Sequence, residues 1–239
     1  MTRSRDPVGA SLTQFAYGRL RADLLACRLR PGQPLRINEL CGALSVSLGA
    51  VRESLSRLTS EGLVVAEPQR GFRVAPVSLS ELRDLTGVRI EIEGRCLARA
   101  IAVGDVAWEA KVVAAHHRLS RTPEREQADP QRLNEAWAEA HSEFHGSLVA
   151  ACDSPWMLRL REILYAQTER YRRLSVPLDQ AGRDIAGEHR DIMEAALRRD
   201  AERAVTLLAA HLGATMSVLV AAGIDGEAGV PQSKLAVGF

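Results

Sequence analysis

The 239-residue sequence lacks paired cysteines, which excludes two common small-protein architectures. Its four cysteines are Cys27, Cys41, Cys96 and Cys152, and no two of them form a Cys-x-x-Cys pair. A zinc ribbon needs such pairs, and a disulfide-stapled domain needs a higher density of cysteine. We therefore expect reduced thiols in an ordinary globular chain, and 46% hydrophobic residues agree with this.

Long apolar runs are also missing from the sequence. A membrane-spanning helix needs roughly 18 consecutive apolar residues, and the apolar pieces, such as Val218 to Ala222, are much shorter. The first residues, MTRSRDPVG, carry charge without an apolar stretch behind them, which is not the pattern of a secretory signal. The sequence predicts a cytoplasmic protein with no membrane partner.

Net charge is nearly absent, because 31 Lys+Arg stand against 30 Asp+Glu, and this balance alone argues against a nucleic-acid partner. Division of the chain at Pro76 shows an asymmetry. Residues 1–76 hold 11 arginines and six acidic residues, a net charge of +5, and the remainder has a net charge of −4. We expect a basic domain over 1–76, an acidic domain over 77–225 and a flexible tail over 226–239.

Apolar residues of the basic domain recur at helical spacing and predict three short helices. These helices run from Leu12 to Leu25, from Asn38 to Leu44 and from Leu48 to Glu61. Two strand candidates, 63–66 and 72–74, flank a turn at 68–71 and predict a hairpin. A tight turn between the second and third helices, followed by a hairpin, is typical of a winged helix-turn-helix.

From Ser78 to about Ala222 the pattern is helical, without a convincing strand. The first helix starts near Ser80, and the later segments centre on 105–121, 131–152, 155–174, 182–199 and 201–222. These segments predict six helices, or seven if the first one breaks. The predicted fold class is therefore mainly α, with an N-terminal winged helix-turn-helix and a C-terminal all-α antiparallel bundle of six or seven helices.

Four of the six histidines lie on the apolar faces of predicted helices. His141 and His145 are four residues apart on one helix, and His189 and His211 lie on two others. Buried imidazoles in this number need many hydrogen-bond partners or one shared cation. Helical bundles build metal centres from such residues, and imidazole suits zinc, nickel, copper or iron. A single inward histidine is more often a satisfied core residue, so a metal-free, histidine-lined pocket remains an alternative.

Two other groups of residues are interpreted without a function. His116 and His117 are adjacent on one helix and cannot share a face, so we expect structural or surface roles for them. Arg170, Arg172 and Arg173 are expected to form a solvated face or part of a dimer contact.

The basic domain resembles the DNA-binding domain of GntR-type transcription regulators over about 65 residues. The resemblance is carried by Leu29-Arg30-Pro31-Gly32, Leu35, Glu39-Leu40, Val46-Ser47, Val51 to Leu55, Leu58, Glu61 to Val64 and Arg70 to Val74. It implies that DNA is contacted by Asn38, Ser47, Arg52, Arg70 and Gly71. Arg52 also lies one turn into the third helix, which would enter the major groove, and Gly71 suits the positive φ of a tight turn.

One position of the third helix departs from the GntR pattern. The family usually has an arginine directly after the serine of the turn, where it reads a guanine, and this chain has Leu48 followed by Gly49. Leucine cannot make that bidentate contact, which provides about 1–3 kcal/mol of discrimination. We therefore expect an operator that differs from the family's common half-site.

The acidic domain resembles the FCD type of sensor domain, found in the FadR-like branch of the GntR family. The residues that carry this resemblance are Val88-Arg89, Glu93, Phe144-His145, Leu148, Ala151, Asp153-Ser154, Glu188-His189, Ile192, Ala195-Ala196 and His211. Metal-binding members hold a divalent ion with an Asp-x3-His pair and two later histidines. Here His141 replaces the aspartate. The replacement leaves the metal without a compensating protein carboxylate, which favours zinc, nickel or copper and attracts an anionic ligand.

The two resemblances together imply a homodimeric transcription regulator, a repressor, that binds a palindromic DNA operator. A small organic acid at or near the metal would control it, with Arg89 as a candidate clamp for its carboxylate. An equal alternative places Arg89 at the helix surface or in an interface. A helical metalloenzyme is the rival function, but four protein ligands crowd a site that catalysis needs open, so we expect no enzyme.

Overall fold

The computed structural model describes residues 7–178 and 182–222, with the side chains described from residue 12 onward. These residues form two compact units that divide between Ser78 and Leu79. The flexible tail expected over 226–239 lies outside the described residues. The mainly α fold class is confirmed, with a small antiparallel sheet in the first unit.

The N-terminal unit combines three helices and a three-stranded sheet. Its elements are α1 (Pro7–Leu25), β1 (Pro34–Leu35), α2 (Ile37–Leu44), α3 (Leu48–Ser60), β2 (Val64–Glu67) and β3 (Gly71–Val74). The sheet order is β1-β3-β2, with Val64 opposite Val74 in the hairpin. Strand β1 was not expected, because a two-residue strand is too short to produce an alternating pattern.

The turn between α2 and α3 is built from serines. Ser45 has a left-handed φ of 53° and ends α2, and the side chain of Ser47 accepts a hydrogen bond from the backbone of Ala50 at 3.3 Å. Ser47 therefore caps α3 and fixes its start. Leu55 and Leu58 on the inner face of α3 are fully buried against the core of this unit, so the opposite face of α3 is left for other partners.

The C-terminal unit has six helices within its described residues, and its first helix does not break. They are α4 (Leu79–Val103), α5 (Val106–Ser120), α6 (Glu135–Val149), α7 (Pro155–Ser175), α8 (Ile185–Leu197) and α9 (Ala201–Ala221). The start of α6 was expected at 131 and lies later. Leu133 bridges back to Arg125, and Asn134 caps the helix by accepting from Ala136 at 3.0 Å.

One hydrophobic core holds the six helices together. Phe144, Leu148, Ile192 and Leu208 are among its fully buried members. Helix α9 is apolar and long enough to cross a membrane by composition alone, but it packs against α4, α7 and α8 and carries one of the buried histidines. Part of its apolar surface, including Leu208 and Leu212, belongs to the core of the unit.

Two free cysteines share this core. Cys96 on α4 and Cys152 after α6 are both buried. Burial, together with the adjacent Cys152, raises the pKa of the Cys96 thiol to about 12. Cys96 is therefore a protonated, inert thiol that behaves as a small core residue.

Replacement of Gly104 by alanine should destabilise the C-terminal unit. A Cβ atom at Gly104 would lie 2.7 Å from the backbone oxygen of Ala100 and would overlap the Trp108 ring, whereas one at Gly87 in α4 would meet nothing within 4 Å. We expect Gly104→Ala to lower the free energy of unfolding by roughly 1–3 kcal/mol. The control Gly87→Ala should raise it slightly, because alanine is the better helix former. Urea unfolding measures both, and equal midpoints would contradict the prediction.

Candidate functional site

The N-terminal unit exposes all five of the residues that the sequence suggested for DNA contact. Ser47 and Arg52 lie at the start of α3, Asn38 lies at the start of α2, and Arg70 and Gly71 lie at the tip of the hairpin. The hairpin tip is sharply turned, with a φ of 91° at Gly71, in the left-handed region that favours glycine. A helix start and a hairpin tip of this kind suit the major groove and the neighbouring backbone of duplex DNA.

Other arginines of this unit are engaged within the protein. The Arg57 guanidinium lies 3.8 Å from the centre of the Tyr17 ring and donates to the Gln14 side chain at 3.0 Å. Arg73 donates to Glu67 at 3.1 Å inside the hairpin. By contrast, Arg52 makes no hydrogen bond or ion pair to the described part of the chain. Its guanidinium is thus available for an external partner.

The C-terminal unit brings the four inward histidines together in one cluster. His141 and His145 come from α6, His189 from α8 and His211 from α9, and each offers a ring nitrogen within 4.8 Å of the others. All four side chains are buried, with at most 6% of their surface exposed. The sequence predicted the inward direction of each ring, and the packing of α6, α8 and α9 makes the rings converge.

Two of the four rings have a nitrogen without a partner. The Nε2 atoms of His145 and His189 are buried and make no hydrogen bond to any described residue. A buried polar atom left unsatisfied costs about 1–3 kcal/mol, so this arrangement needs an explanation. A shared cation accepts a lone pair from each ring at once, and the donor set therefore fits a transition metal.

A hydrogen bond sets the tautomer of His211, and another orients the ring of His141. His211 Nδ1 lies 2.8 Å from a carboxylate oxygen of Glu188, which can only accept, so Nδ1 carries the proton and Nε2 keeps its lone pair. Arg183 also lies 3.1 Å from this Nδ1, but Glu188 is closer, and Arg183 donates instead to the His211 carbonyl at 2.8 Å. His141 Nδ1 lies 3.2 Å from the Tyr165 hydroxyl. Such contacts behind a ligand orient it toward a metal.

Glu188 corrects one expectation from the sequence. No protein carboxylate was expected to compensate the charge of a bound metal, yet Glu188 lies directly behind His211. Burial alone would raise the pKa of Glu188, but hydrogen bonds from His211 and Arg183 lower it to about 2. Glu188 is therefore ionised, although Arg183 offsets most of its charge through an ion pair.

Burial also keeps the cluster neutral. It lowers the pKa of all four imidazoles, and nearby positive charge adds to the effect, from Arg172 at His141 and from Arg183 at His189. Only His211 has an opposing influence, from Glu188. Neutral rings hold the lone pairs that a metal requires, so the site is ready to bind at neutral pH.

Two small cavities flank the histidine cluster, and arginines line both. Each cavity has about 30 Å³ of space, and they share His141, His211, Arg172 and Thr215. Arg183 lines the first cavity and Arg89 lines the second. This concentration of positive charge and hydrogen-bond donors beside the rings suits a small anion.

Arg89 is buried inside the unit, and the alternative that placed it at the helix surface is wrong. Its Nε donates to Glu93 at 2.6 Å and its Nη1 donates to Thr168 at 2.9 Å, while Nη2 makes no hydrogen bond to any described residue. Nη1 of Arg172 is likewise buried without such a partner. Two guanidinium donors at the second cavity thus remain for a ligand.

The arginine group on α7 is not a solvated face. Arg172 binds both oxygens of Glu169, at 2.6 and 2.7 Å, and lies over the Trp137 ring at 5.2 Å. Arg173 binds Glu169 at 3.0 Å and Glu135 at 2.7 Å, and Arg170 is 1% exposed. The expectation of a solvated face was wrong because the buried Glu169 compensates the charges of Arg172 and Arg173 and allows both to be largely buried. The sequence pattern of the arginines does not reveal such a partner.

His116 and His117 stay outside the histidine cluster. His116 is half-buried, its ring meets the Phe144 ring edge-on with centroids 5.6 Å apart, and burial lowers its pKa. His117 is exposed. Both therefore serve as controls for the buried rings.

Residues missed by sequence reasoning surround the cluster. Arg172, Arg183 and Tyr165 all touch the site, and Glu188 was named only among the residues that carry the family resemblance. Glu188 could have been suspected from its place beside His189. Arg183 falls within the helical segment expected over 182–199 but precedes α8, which starts at Ile185, so helical periodicity could not predict the direction of its side chain.

Both units of the chain match models of known protein families. Residues 12–74 match the model of the gntR family of bacterial regulatory proteins, and residues 84–214 match the FCD domain. The chain is 43% identical to the HTH-type transcriptional regulator BphR of Paraburkholderia xenovorans over 87% of this chain and 85% of BphR. It is 36% identical to the HTH-type transcriptional repressor GlaR of Escherichia coli over 82% of this chain and 90% of GlaR.

Solved structures share the fold. Escherichia coli McbR/YncC superposes with a TM-score of 0.73 at 21% identity, covering 89% of this chain and 98% of McbR/YncC. At this identity the likeness concerns the fold alone.

Acidification should destabilise the metal-free protein. The four buried imidazoles have pKa values below the ordinary 6.5, so the unfolded chain binds more protons than the folded chain as the pH falls through about 6.5. The free energy of unfolding then falls by up to about 1.4 kcal/mol per pH unit for each ring that stays neutral. Urea midpoints with chelator at about pH 7.5 and 5.5 measure this loss. His189→Gln should reduce the pH dependence and His117→Gln should not; identical profiles would refute the prediction.

Proposed function

Because the chain belongs to the GntR family of bacterial regulatory proteins and carries an FCD domain, we propose that it is a cytoplasmic, homodimeric transcriptional repressor controlled by a divalent transition metal and a small carboxylate. Like its relatives, the chain is a transcriptional regulator and not an enzyme. Repression is suggested by the name of GlaR. The observation that carries the metal proposal is the pair of buried, unpartnered Nε2 atoms on His145 and His189.

The proposed metal ligands are His141, His145, His189 and His211. An all-nitrogen donor set suits zinc or nickel better than manganese or magnesium, which prefer oxygen ligands. A bound metal would supply a positive charge that attracts an anionic effector. Glu188 would hold the His211 ring in the ligating tautomer, Tyr165 would orient the His141 ring, and Arg183 would hold Glu188 in place.

The proposed effector is a small carboxylate held by Arg89 and Arg172. Each residue has one buried Nη without a hydrogen bond to the described residues, and both residues line the second cavity. A guanidinium binds a carboxylate through two parallel hydrogen bonds. The cavities, at about 30 Å³ each, have room for only two or three water molecules. The effector is therefore small, or α4 and α7 move apart when it binds.

The proposed DNA contacts are Asn38, Ser47, Arg52, Arg70 and Gly71. Their exposure at the start of α2, the start of α3 and the hairpin tip supports this role. Two copies of the chain would read two half-sites about one DNA turn apart, so the operator should be palindromic. Control by the effector requires that it bind the DNA-competent and DNA-incompetent arrangements with different affinity.

One experiment distinguishes this proposal from the alternative of a histidine-lined pocket that binds the effector without a metal. Thermal unfolding of the full chain is followed with zinc, nickel or chelator, in the presence and absence of a panel of two- to four-carbon carboxylic acids. We expect one metal per chain by elemental analysis and a carboxylate-induced rise in melting temperature only with metal present. At 100 times its dissociation constant a ligand adds about 2.7 kcal/mol to the free energy of unfolding.

Matched variants assign the two parts of the site. His189→Gln should weaken metal binding at least tenfold, whereas His116→Gln, outside the cluster, should bind normally. Arg172→Gln should remove the carboxylate response, whereas Arg118→Gln, an exposed arginine paired with Glu143 on the surface, should retain it. A metal-independent response would favour the histidine-lined pocket without a metal, and equal behaviour of all four variants would refute the site.

Leu48→Arg should change the base preference of the protein. Leu48 is 47% exposed at the first position of α3, directly after the cap Ser47. An arginine there can bind guanine O6 and N7, which provides about 1–3 kcal/mol of discrimination. Selection of operators from a random DNA pool should yield a guanine in each half-site that the natural chain does not require. Unchanged selected sequences would contradict this. Arg57→Ala, whose guanidinium lies on Tyr17, should leave the preference unaltered.

A further inference from the structure

The first turn of α3 presents an apolar surface to any molecule that approaches it. After the cap Ser47, this turn consists of Leu48, Gly49 and Ala50, and none of these three residues has a side chain that donates or accepts a hydrogen bond. Ala50 is buried, whereas Leu48 and Gly49 are exposed. The Ser47 side chain accepts from the Ala50 backbone. A DNA base that meets this turn therefore meets Leu48 and the bare backbone of Gly49.

Leu48 is not required by the core of the N-terminal unit. Its exposed fraction is 47%, and it is not one of the partly buried residues that pack against this core within the described chain. Val46, at 9% exposed, and the fully buried Val51 anchor the turn and the helix instead. A single exposed leucine is ordinary on a protein surface, but this one lies four residues before Arg52, so the two side chains share one side of α3.

Gly49 likewise answers no internal need within the described residues. It lies in α3 and is not one of the glycines with positive φ. A Cβ atom added to it would meet only the Ser47 hydroxyl oxygen, at 3.9 Å, which is an ordinary contact distance. Because glycine is a poorer helix former than alanine, its presence costs stability. The missing Cβ leaves open space beside Leu48, where another molecule can approach the helix backbone closely.

The major groove offers one group that suits this surface. Base pairs present hydrogen-bond donors and acceptors there, and thymine adds the methyl group on its C5 atom. Apolar side chains recognise thymine through that methyl group, because the contact removes apolar surface from water. A leucine is shorter than an arginine, so the helix must lie closer to the base for the contact to form. The space at Gly49 permits that closer approach.

We propose that Leu48, together with the space at Gly49, reads the methyl group of a thymine in each operator half-site. The proposal rests on the proposed function, because it requires that α3 enter the major groove. Leu48 and Arg52 are four residues apart, which is about 6 Å along the helix axis, and successive base pairs are about 3.4 Å apart. The thymine therefore lies within about two base pairs of the base that Arg52 contacts.

Removal of single methyl groups from the operator tests this assignment. Operators are selected with the full natural chain from a random DNA pool, and each thymine is then replaced in turn by deoxyuridine, which lacks only the methyl group. At one thymine of each half-site the replacement should weaken binding about fourfold, or about 15-fold when both half-sites are changed. Leu48→Ala should bind the thymine and deoxyuridine operators alike. The control Leu12→Ala truncates a leucine of α1 that is 42% exposed and should keep the natural dependence on the methyl group.

The outcomes separate this inference from the proposed function. If the natural chain selects an operator but no deoxyuridine replacement weakens its binding, the assignment is overturned while DNA binding stands. The same holds if Leu48→Ala keeps the dependence on the methyl group. If no sequence is enriched from the pool, the proposed function fails as well.

Gly49→Ala should change stability and DNA binding in opposite directions. Alanine is the better helix former and its Cβ finds open space, so the free energy of unfolding should rise slightly. Operator affinity should nevertheless fall by about fivefold or more, because the added Cβ would overlap the closely approaching DNA. The control Gly18→Ala, in α1, also meets nothing within 4 Å and should gain stability without losing affinity. Urea unfolding and operator titration measure both effects, and a Gly49→Ala variant with undiminished affinity would refute the close approach.

Discussion

The convergence of four neutral imidazoles in the C-terminal unit is the constraint on which the rest of that unit depends. Three helices deliver His141, His145, His189 and His211 to one buried place, where burial keeps the rings uncharged. Hydrogen bonds among the described residues satisfy only part of this cluster. Packing forces alone would favour apolar residues at such positions. The cluster is therefore compatible with metal binding, which would satisfy the ring nitrogens left without a partner.

Three ion pairs surround the histidine cluster. Arg89 pairs with Glu93, Arg172 with Glu169 and Arg183 with Glu188. The first two pairs lie largely out of water and the third is partly exposed. Buried ion pairs add little stability over apolar residues of similar size, so the first two pairs are not explained by stability alone. Each acid holds its arginine in one orientation. Arg89 and Arg172 nevertheless each have a buried Nη without a hydrogen bond to the described residues, which supports the proposal of an anionic effector.

The two units divide the work of a regulator. The N-terminal unit exposes the start of α3 and the hairpin tip, and it carries the excess of positive charge that association with DNA requires. The C-terminal unit is acidic overall and concentrates its buried arginines at the cavities. The net charge of the whole chain is close to zero because the positive charge of the first unit and the negative charge of the second nearly cancel. Helices α4 and α7 contribute Arg89 and Arg172 to the lining of the second cavity.

The sequence by itself determined the order of the helices, the winged domain and the inward direction of the four histidines. It could do so because helical spacing reports which side of each helix is apolar, and because residues 12–74 as a whole follow the pattern of one family. Only the tertiary structure decided which inward side chains meet. Glu188 behind His211, Glu169 between Arg172 and Arg173, and the burial of Arg89 arise from contacts between separate helices or between helical turns whose surroundings periodicity cannot describe. Sequence analysis assigns a charged residue to the surface unless its ion-pair partner is known. That partner is determined by how the helices pack.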